Sequence, residues 1–262
     1  MDSLPPQGIL LLQILQEAGD RVLPRCGSAA TMAIKADDSI VTASDLEAEV
    51  ILLQGLRTHF PGEPIVSEEC GGQRGGKVWW VVDPIDGTSS FSEGLAHWGP
   101  TVGRVVDGKI ERGGLYLPRL KESYYAENGR AWLNGLPLPP LSAERSAKVL
   151  YLPSRFHRYC VLDYRGKGRC LGGTAAHLAG IARGAASGAI VAPGWSLWDT
   201  AAGLALIEAV GGVAVRYPEG VPLQPVEDEG CTFLAGLPEL VEDFVKHQRV
   251  NVRLAGGSYA GS

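Results

Sequence analysis

With 262 residues, 45% of them hydrophobic, the chain is long enough for one large core or two closely packed lobes. A formal charge of −5 gives no sign of a nucleic-acid or membrane surface. Five scattered cysteines, odd in number and without a CxxC pair, argue against a zinc ribbon or a disulfide framework and point to a reducing cytoplasm.

The first stretch without charge, LPPQGILLLQILQ, has no basic leader, is broken by glutamines and stops at Glu17. It reads as part of an amphipathic helix over 8–24, neither a signal peptide nor a membrane span. Ile9, Leu12, Ile14, Leu15 and Val22 form its apolar face. CGSAATMAIKADDSIVTASD follows as a polar loop rich in small residues. Ser44 and Glu47 have capping-box spacing ahead of a second helix, Asp45 to about Phe60, with Ile51, Leu52 and Leu56 inward. EPIVSEE is a short strand ending in acids. KVWWVVD is a second strand, apolar on both faces and so expected near the centre of a sheet.

From Gly99 to about Gly135 the pattern changes to hairpins. Asp107-Gly108, Asn128-Gly129 and Asn134-Gly135 are turn dipeptides between β-rich runs, which predicts a meandering antiparallel sheet. Beyond Pro153 helices and strands alternate around the strand KVLYLP just before it. TAAHLAGIARGA is a helix, GAIVAP a strand, SLWDTAAGLALIEAV a helix and GGVAVRY a strand; CTFLAG and PELVEDFVKH close as strand and helix. Helices flanking two sheets make a layered α/β or α+β fold. The polar, proline-rich PLPPLSAERS marks a division into an N-terminal α+β lobe, 1–145, and a C-terminal α/β lobe, 146–262, closely packed as one catalytic unit.

The chemistry concentrates in VVDPIDGTSSF. Asp83 and Asp86 stand three apart with Pro84 fixing one backbone angle between them. A tight turn there would aim both carboxylates and the Ile85 carbonyl at one spot, and Gly87 would let the backbone bend around it. A helix starting at Thr88 would present free N–H groups, a seat for phosphate. Hard oxygen ligands beside anion donors meet the needs of metal-assisted phosphate chemistry. The plain alternative is a turn in which aspartate satisfies its own backbone, but acids at the end of a buried strand favour a compensating cation. Glu68 ends the preceding strand and can face Asp83 if the two strands are neighbours; otherwise Glu68-Glu69 is a solvated loop. Asp199 opens a helix and has capping-box spacing from Ser196, so it can serve the helix dipole, a shared site, or both. Asp45 opens a helix with the same ambiguity. The small residues Ala201, Ala202 and Gly203 predict that the Asp199 helix packs very closely on another element.

Two of these blocks are similar to signatures of the inositol monophosphatase family: VVDPIDGTSSF to the first and LWDTAAG to the second. KADDSIVTASD, IVSEE and GGTAAHLAGIARG lie in the family order, so the resemblance spans roughly residues 8–245. It implies a layered αβαβα fold, a lithium-sensitive, magnesium-dependent phosphomonoester hydrolase that uses metal-activated water, and a homodimer. Carried over by position, it implies that Glu68, Asp83 and the Ile85 carbonyl hold one magnesium. Asp83, Asp86 and Asp199 would hold a second, and Glu68 would share a weaker third. Asp45 and Thr88 would orient and deprotonate the water. Gly87 and Thr88, with Asp86 and Ser89 beside them, would bind the phosphorylated substrate. No nucleic acid or membrane partner is implied.

Substrate identity is less clearly written. In the inositol-specific pattern a glutamate lies seven residues before the second signature's aspartate; here that position is Ala192, so strict inositol specificity is not implied. KADDSIVTASD and PIVSEE are nearer to bisphosphate nucleotidases, while GTSSF is nearer to inositol or histidinol-phosphate forms. A phosphorylated polyol or sugar such as inositol 1-phosphate, a 3′(2′),5′-bisphosphate nucleotide and histidinol phosphate all stay open, as does a catalytically silent regulatory protein. Trp195 and Trp198 are candidates for stacking on substrate or for core packing, and Lys35 and Arg183 for a second anion or for solvated surface. His97, His157 and His177 are not needed as ligands.

Overall fold

A computed structural model describes residues 3–28, 32–34 and 40–252. Helix α1 (Pro6–Val22) starts at a proline, which lacks the N–H that a first turn leaves unpaired. Leu11, Leu12, Ile14, Leu15, Ala18 and Val22 are buried, but Ile9 is 46% exposed. Ile9 stands roughly 160° around the helix from Leu11, so the inward face centres on Leu11 and Leu15 and leaves the expected Ile9 outside. The stretch read as a loop contains two short strands, β1 (Met32–Ile34) and β2 (Ile40–Thr42), paired antiparallel. Three-residue strands carry too little alternation to show in a sequence. Lys35 lies outside the described residues.

Helix α2 (Ala43–His59) begins one residue ahead of Ser44, which therefore sits in its first turn and not before it. Glu47 is engaged instead with Arg25 and Arg21. Leu52, Leu53 and Leu56 are buried and Ile51 partly so, packing α2 on α1 and on the first sheet.

That sheet has seven strands in chain order: β3 (Ile65–Ser67), β4 (Val78–Asp86), β5 (Gly99–Val106), β6 (Lys109–Leu117), β7 (Glu122–Glu127), β8 (Arg130–Leu133) and β9 (Leu136–Pro137). The short helix α3 (Thr88–Ser92) follows β4. β3 and β4 are parallel, and each later neighbour is antiparallel. All three turn dipeptides have positive φ at both residues, as tight hairpins with right-handed strand twist require.

The second half adds β10 (Val149–Tyr151), α4 (Phe156–Tyr159), β11 (Cys160–Leu162), β12 (Lys167–Arg169), α5 (Thr174–Ala182), β13 (Gly188–Val191), α6 (Leu197–Ala209), β14 (Val213–Arg216), β15 (Phe233–Gly236), α7 (Pro238–Lys246) and β16 (Val250–Val252). A five-stranded sheet runs in the order β12-β10-β13-β15-β14, and β11 pairs with β16. Of these, α4, β11, β12 and β16 are too short to have been expected.

The layers are α1 and α2, the seven-stranded sheet, α5 and α6, the five-stranded sheet, and α7: an αβαβα sandwich. Helices α5 and α6 are covered on both sides, which is why TAAHLAGIA and LWDTAAGLALIEA are apolar almost all round. Close approach to the first sheet depends on missing side chains. A Cβ on Gly103 would lie 2.5 Å from the Ala201 Cβ, and one on Gly113 would lie 2.6 Å from the Ala202 Cα. The small residues of α6 therefore sit almost directly on the β5 and β6 backbone.

Candidate active site

The site starts from an irregularity in β4. Asp83 faces Thr101 and Asp86 faces Gly99, so β4 carries one residue more than β5 between these pairs. The sequence reading placed a tight turn after Asp83; the strand instead runs on to Asp86 through a bulge at Pro84 and Ile85. Proline has no N–H to give the ladder and is tolerated at such a place. In a regular strand, residues three apart point to opposite faces. The extra residue cancels that alternation and turns both carboxylates to one side.

Each carboxylate is then fixed. Asp83 Oδ1 accepts the Ile85 N–H at 2.8 Å. Asp86 faces the start of α5: its Oδ1 accepts the Thr174 N–H at 3.0 Å and its Oδ2 the Ala175 N–H at 2.8 Å. A Cβ on Gly173 would stand 2.1 Å from Asp86 Oδ2, so this contact requires glycine. The loop leading to Gly173 is fixed as well. The His177 Nε2 accepts the Leu171 N–H at 3.0 Å, its ring stacks on Tyr151, and burial lowers its pKa to about 4. In the sequence GGTAAHLAGIARG stands only as a block, and nothing in it marks Asp86 as the partner of its backbone amides.

Asp199 does two jobs. It closes a capping box with Ser196, whose N–H donates to Asp199 Oδ2 at 2.7 Å, and it joins the acids of β4. Asp83, Asp86 and Asp199 each offer an oxygen within 4.8 Å of the others. Thr101, opposite Asp83, donates to the Trp198 carbonyl at 3.1 Å and ties β5 to the first turn of α6. Glu229 accepts the Leu197 N–H at 2.8 Å and pairs with Arg74, a link absent from the sequence reading.

Glu68 lies just beyond β3, and its N–H donates to the Val82 carbonyl at 3.1 Å, next to Asp83. It is outside the tight group of three, but its charge acts on all of them. Burial, then Glu68, Asp86 and Asp199, push the Asp83 carboxyl well above the usual carboxylate range. Burial, then Asp86 and Glu68, do the same to Asp199 despite the Ser196 bond. Burial raises Asp86 to about 7 although three helix N–H groups pull it down. No basic side chain of the described residues is among the largest influences on any of the three. Such a cluster could hold a small divalent cation, which would supply positive charge and find hard oxygen donors.

Asp45 is fully buried on α2. The Thr88 hydroxyl stands 3.2 Å from the Ile85 carbonyl and 3.5 Å from Asp45 Oδ1, the latter at the outer limit of a hydrogen bond. Gly87 has φ +86°, a left-handed conformation suited to glycine, and caps α3; Ser89 is exposed on its first turn. Trp195 is buried, in edge contact with Phe233 and donating to the Cys231 carbonyl, so core packing and not stacking on substrate is its role. Arg183 lies at the far end of α5 from Asp86 and pairs with Glu122.

Comparison with known proteins places the chain in a family. The profile of the inositol monophosphatase family matches residues 9–249. A histidinol-phosphatase of Chlorobaculum parvum is 33% identical over 234 residues, covering 82% of this chain and 87% of that one. A 3′(2′),5′-bisphosphate nucleotidase CysQ of Shigella flexneri is 31% identical over 223 residues, 80% of this chain and 90% of its own. The solved structure of a Thermotoga maritima IMPase superposes with a TM-score of 0.78 at 26% identity, covering 90% of this chain and 93% of that one. Fold and relatives place the chain among the phosphatases, in a family that is metal-dependent, and its acid cluster could hold such an ion. The chain belongs to the inositol monophosphatase family.

Proposed function

We propose that this chain hydrolyses a small phosphomonoester with the help of magnesium. The observation that carries the proposal is the group of three aspartates set close together, with no basic side chain of the described residues among the largest influences on them. Glu68, Asp83 and the Ile85 carbonyl would hold one ion, Asp83, Asp86 and Asp199 a second, and Glu68 a share of a weaker third. Magnesium held there supplies positive charge to the phosphoryl oxygens and acidifies the attacking water.

The remaining work falls to the chain itself. Asp45, through Thr88, takes the proton of the attacking water, which explains a carboxylate buried beside that hydroxyl. The N–H groups of Gly87 and Thr88, with Ser89 at the rim, seat the phosphate. Asp86, locked to α5, fixes the geometry between the two sheets. Residues 1–145 and 146–262 act as one unit in this scheme, because Asp199 and the Asp86 cradle come from the second part.

The substrate is a phosphorylated polyol or sugar, with inositol 1-phosphate as the reference case. Ala192, where the inositol-specific pattern has glutamate, together with the relative named histidinol-phosphatase, favours histidinol phosphate as the second reading. The relatives named bisphosphate nucleotidase keep phosphoadenosine phosphate in the same test. Cytoplasmic location, homodimer formation and inhibition by millimolar lithium belong to the same proposal. Among the described residues no helix is long and apolar enough to cross a membrane.

The test is phosphate release from inositol 1-phosphate, histidinol phosphate, fructose 1,6-bisphosphate and phosphoadenosine phosphate, each with magnesium and with chelator. Magnesium-dependent turnover of one of them, well above the rest, is expected. No turnover of any under either condition would leave the silent regulatory protein as the better reading.

A further inference from the structure

Four carboxylates are buried among the described residues: Asp45, Glu49, Asp83 and Asp86. Glu49 alone has no part in the scheme above. It lies one helical turn after Asp45 on α2, and so on the same face. Its side chain is directed at the turn that follows β3. Glu49 Oε1 accepts the N–H of Glu69 at 3.3 Å and that of Cys70 at 3.1 Å; Oε2 accepts the Cys70 thiol at 2.9 Å. The same turn is closed at its base by Ser67 and Gly71, which exchange N–H···O bonds of 2.9 and 3.0 Å. Glu68 is therefore held on both sides. Its own N–H is tied to β4 at Val82, and the next two N–H groups are tied to Glu49.

We propose that Glu49 is a positioning residue that fixes the Ser67–Gly71 turn so that Glu68 faces Asp83, and thereby sets the affinity of the site for its metal. The inference rests on the reading of Glu68 as a metal ligand. One helix would then set two parts of the site, Asp45 near the Thr88 hydroxyl and Glu49 under the ligand loop. What the turn needs from Glu49 is reach and an acceptor, not charge. Both acceptor positions touch neutral donors, two amides and a thiol.

Two conservative variants separate these possibilities. Glu49→Gln keeps the length and a carbonyl oxygen for the two amides, and its amide can donate to the Cys70 sulfur. Glu49→Asp keeps the charge but withdraws the oxygens by about one C–C bond length, roughly 1.5 Å. Manganese binding to the metal-stripped protein, read from the EPR signal of the free ion, measures affinity without turnover. Glu49→Gln is expected within about 3-fold of wild type and Glu49→Asp about 10-fold weaker, the scale of loss for groups that support metal ligands. At saturating magnesium kcat of Glu49→Asp should return to within about 2-fold of wild type, because the ligands themselves remain. Equal or greater damage from Glu49→Gln than from Glu49→Asp would overturn the proposal in favour of a charge role. A lower melting temperature with unchanged manganese affinity in Glu49→Asp would overturn it in favour of a plain folding role. Glu68→Gln, run alongside, tells the two readings apart. If it binds manganese like wild type, the Glu68 assignment fails and this proposal with it. If it binds weakly while Glu49→Asp does not, only the role of Glu49 is refuted.

Discussion

Asp86 shows how one side chain can be satisfied and unsatisfied together. Two helix amides donate to it, and its carboxyl is still raised to about 7. An ordinary carboxylate titrates near 4. A folded pKa above the unfolded one means that the native state binds the extra proton, so the contribution to stability is present at low pH and is lost as pH rises from about 4 through about 7. Metal-free protein should therefore melt at a lower temperature at pH 8 than at pH 5. Magnesium should raise the melting temperature more at pH 8, and scanning calorimetry across that range checks both. Asp83→Asn removes one buried negative charge, so its metal-free form should melt at or above the wild-type temperature. Its magnesium-dependent turnover should drop by two or more orders of magnitude, since that carboxylate would serve both ions. Gly173→Ala places a methyl against Asp86 Oδ2; a rise of at least 10-fold in the magnesium concentration for half-maximal activity is expected, measured by titration. Asp83, Asp86, Asp199, Glu68 and Asp45 could be picked out in the sequence because each stands at the end of a strand or the start of a helix. The Gly173 cradle could not, because its bonds to Asp86 span 88 and 89 residues and involve backbone amides that every residue has.

Among the elements, β4 and α6 matter most. The bulge in β4 brings two acids to one side, and α6 delivers the third while lying flat on β5 and β6. Gly113→Val inserts a branched side chain where the Ala202 backbone now rests. It should destabilise the fold by about 1–3 kcal/mol, read from denaturant unfolding, and reduce turnover as Asp199 moves outward. The close seat of α6 was legible in Ala201-Ala202-Gly203, and the hairpins in three Asx-Gly pairs with the φ values such turns demand. The bulge was not, because Asp-Pro-Ile-Asp suits a turn equally well and only the register against β5 distinguishes the two. Strands of three residues, such as β1, β2, β11 and β12, span less than two periods of alternation, too little to show in the sequence. Ile9 was misplaced because an all-apolar run, Ile9 to Leu12, hides which of its members faces inward.

At the scale of the molecule, three adjacent layers, α2, the seven-stranded sheet and the α5–α6 pair, supply one set of oxygens. Side chains of the first sheet and helices of the second half share a core in which Leu115 and Tyr124 pack with Ala175, Ala179 and Leu206. A structure divided in this way should unfold in one calorimetric transition, and magnesium should shift that whole transition rather than part of it. Alternating helices and strands imply a layered fold, and the order of its layers comes from the family resemblance alone; the substrate is not legible, because Ala192 marks a missing group and not a present one. On the function proposed above, a divalent cation belongs among these acids. Anomalous scattering from a crystal grown with manganese tests it most directly. A strong peak bounded by Asp83, Asp86 and Asp199, with a second beside Glu68 and the Ile85 carbonyl, is expected; an empty cluster, or Glu68 and Asp199 turned away from Asp83, would contradict it.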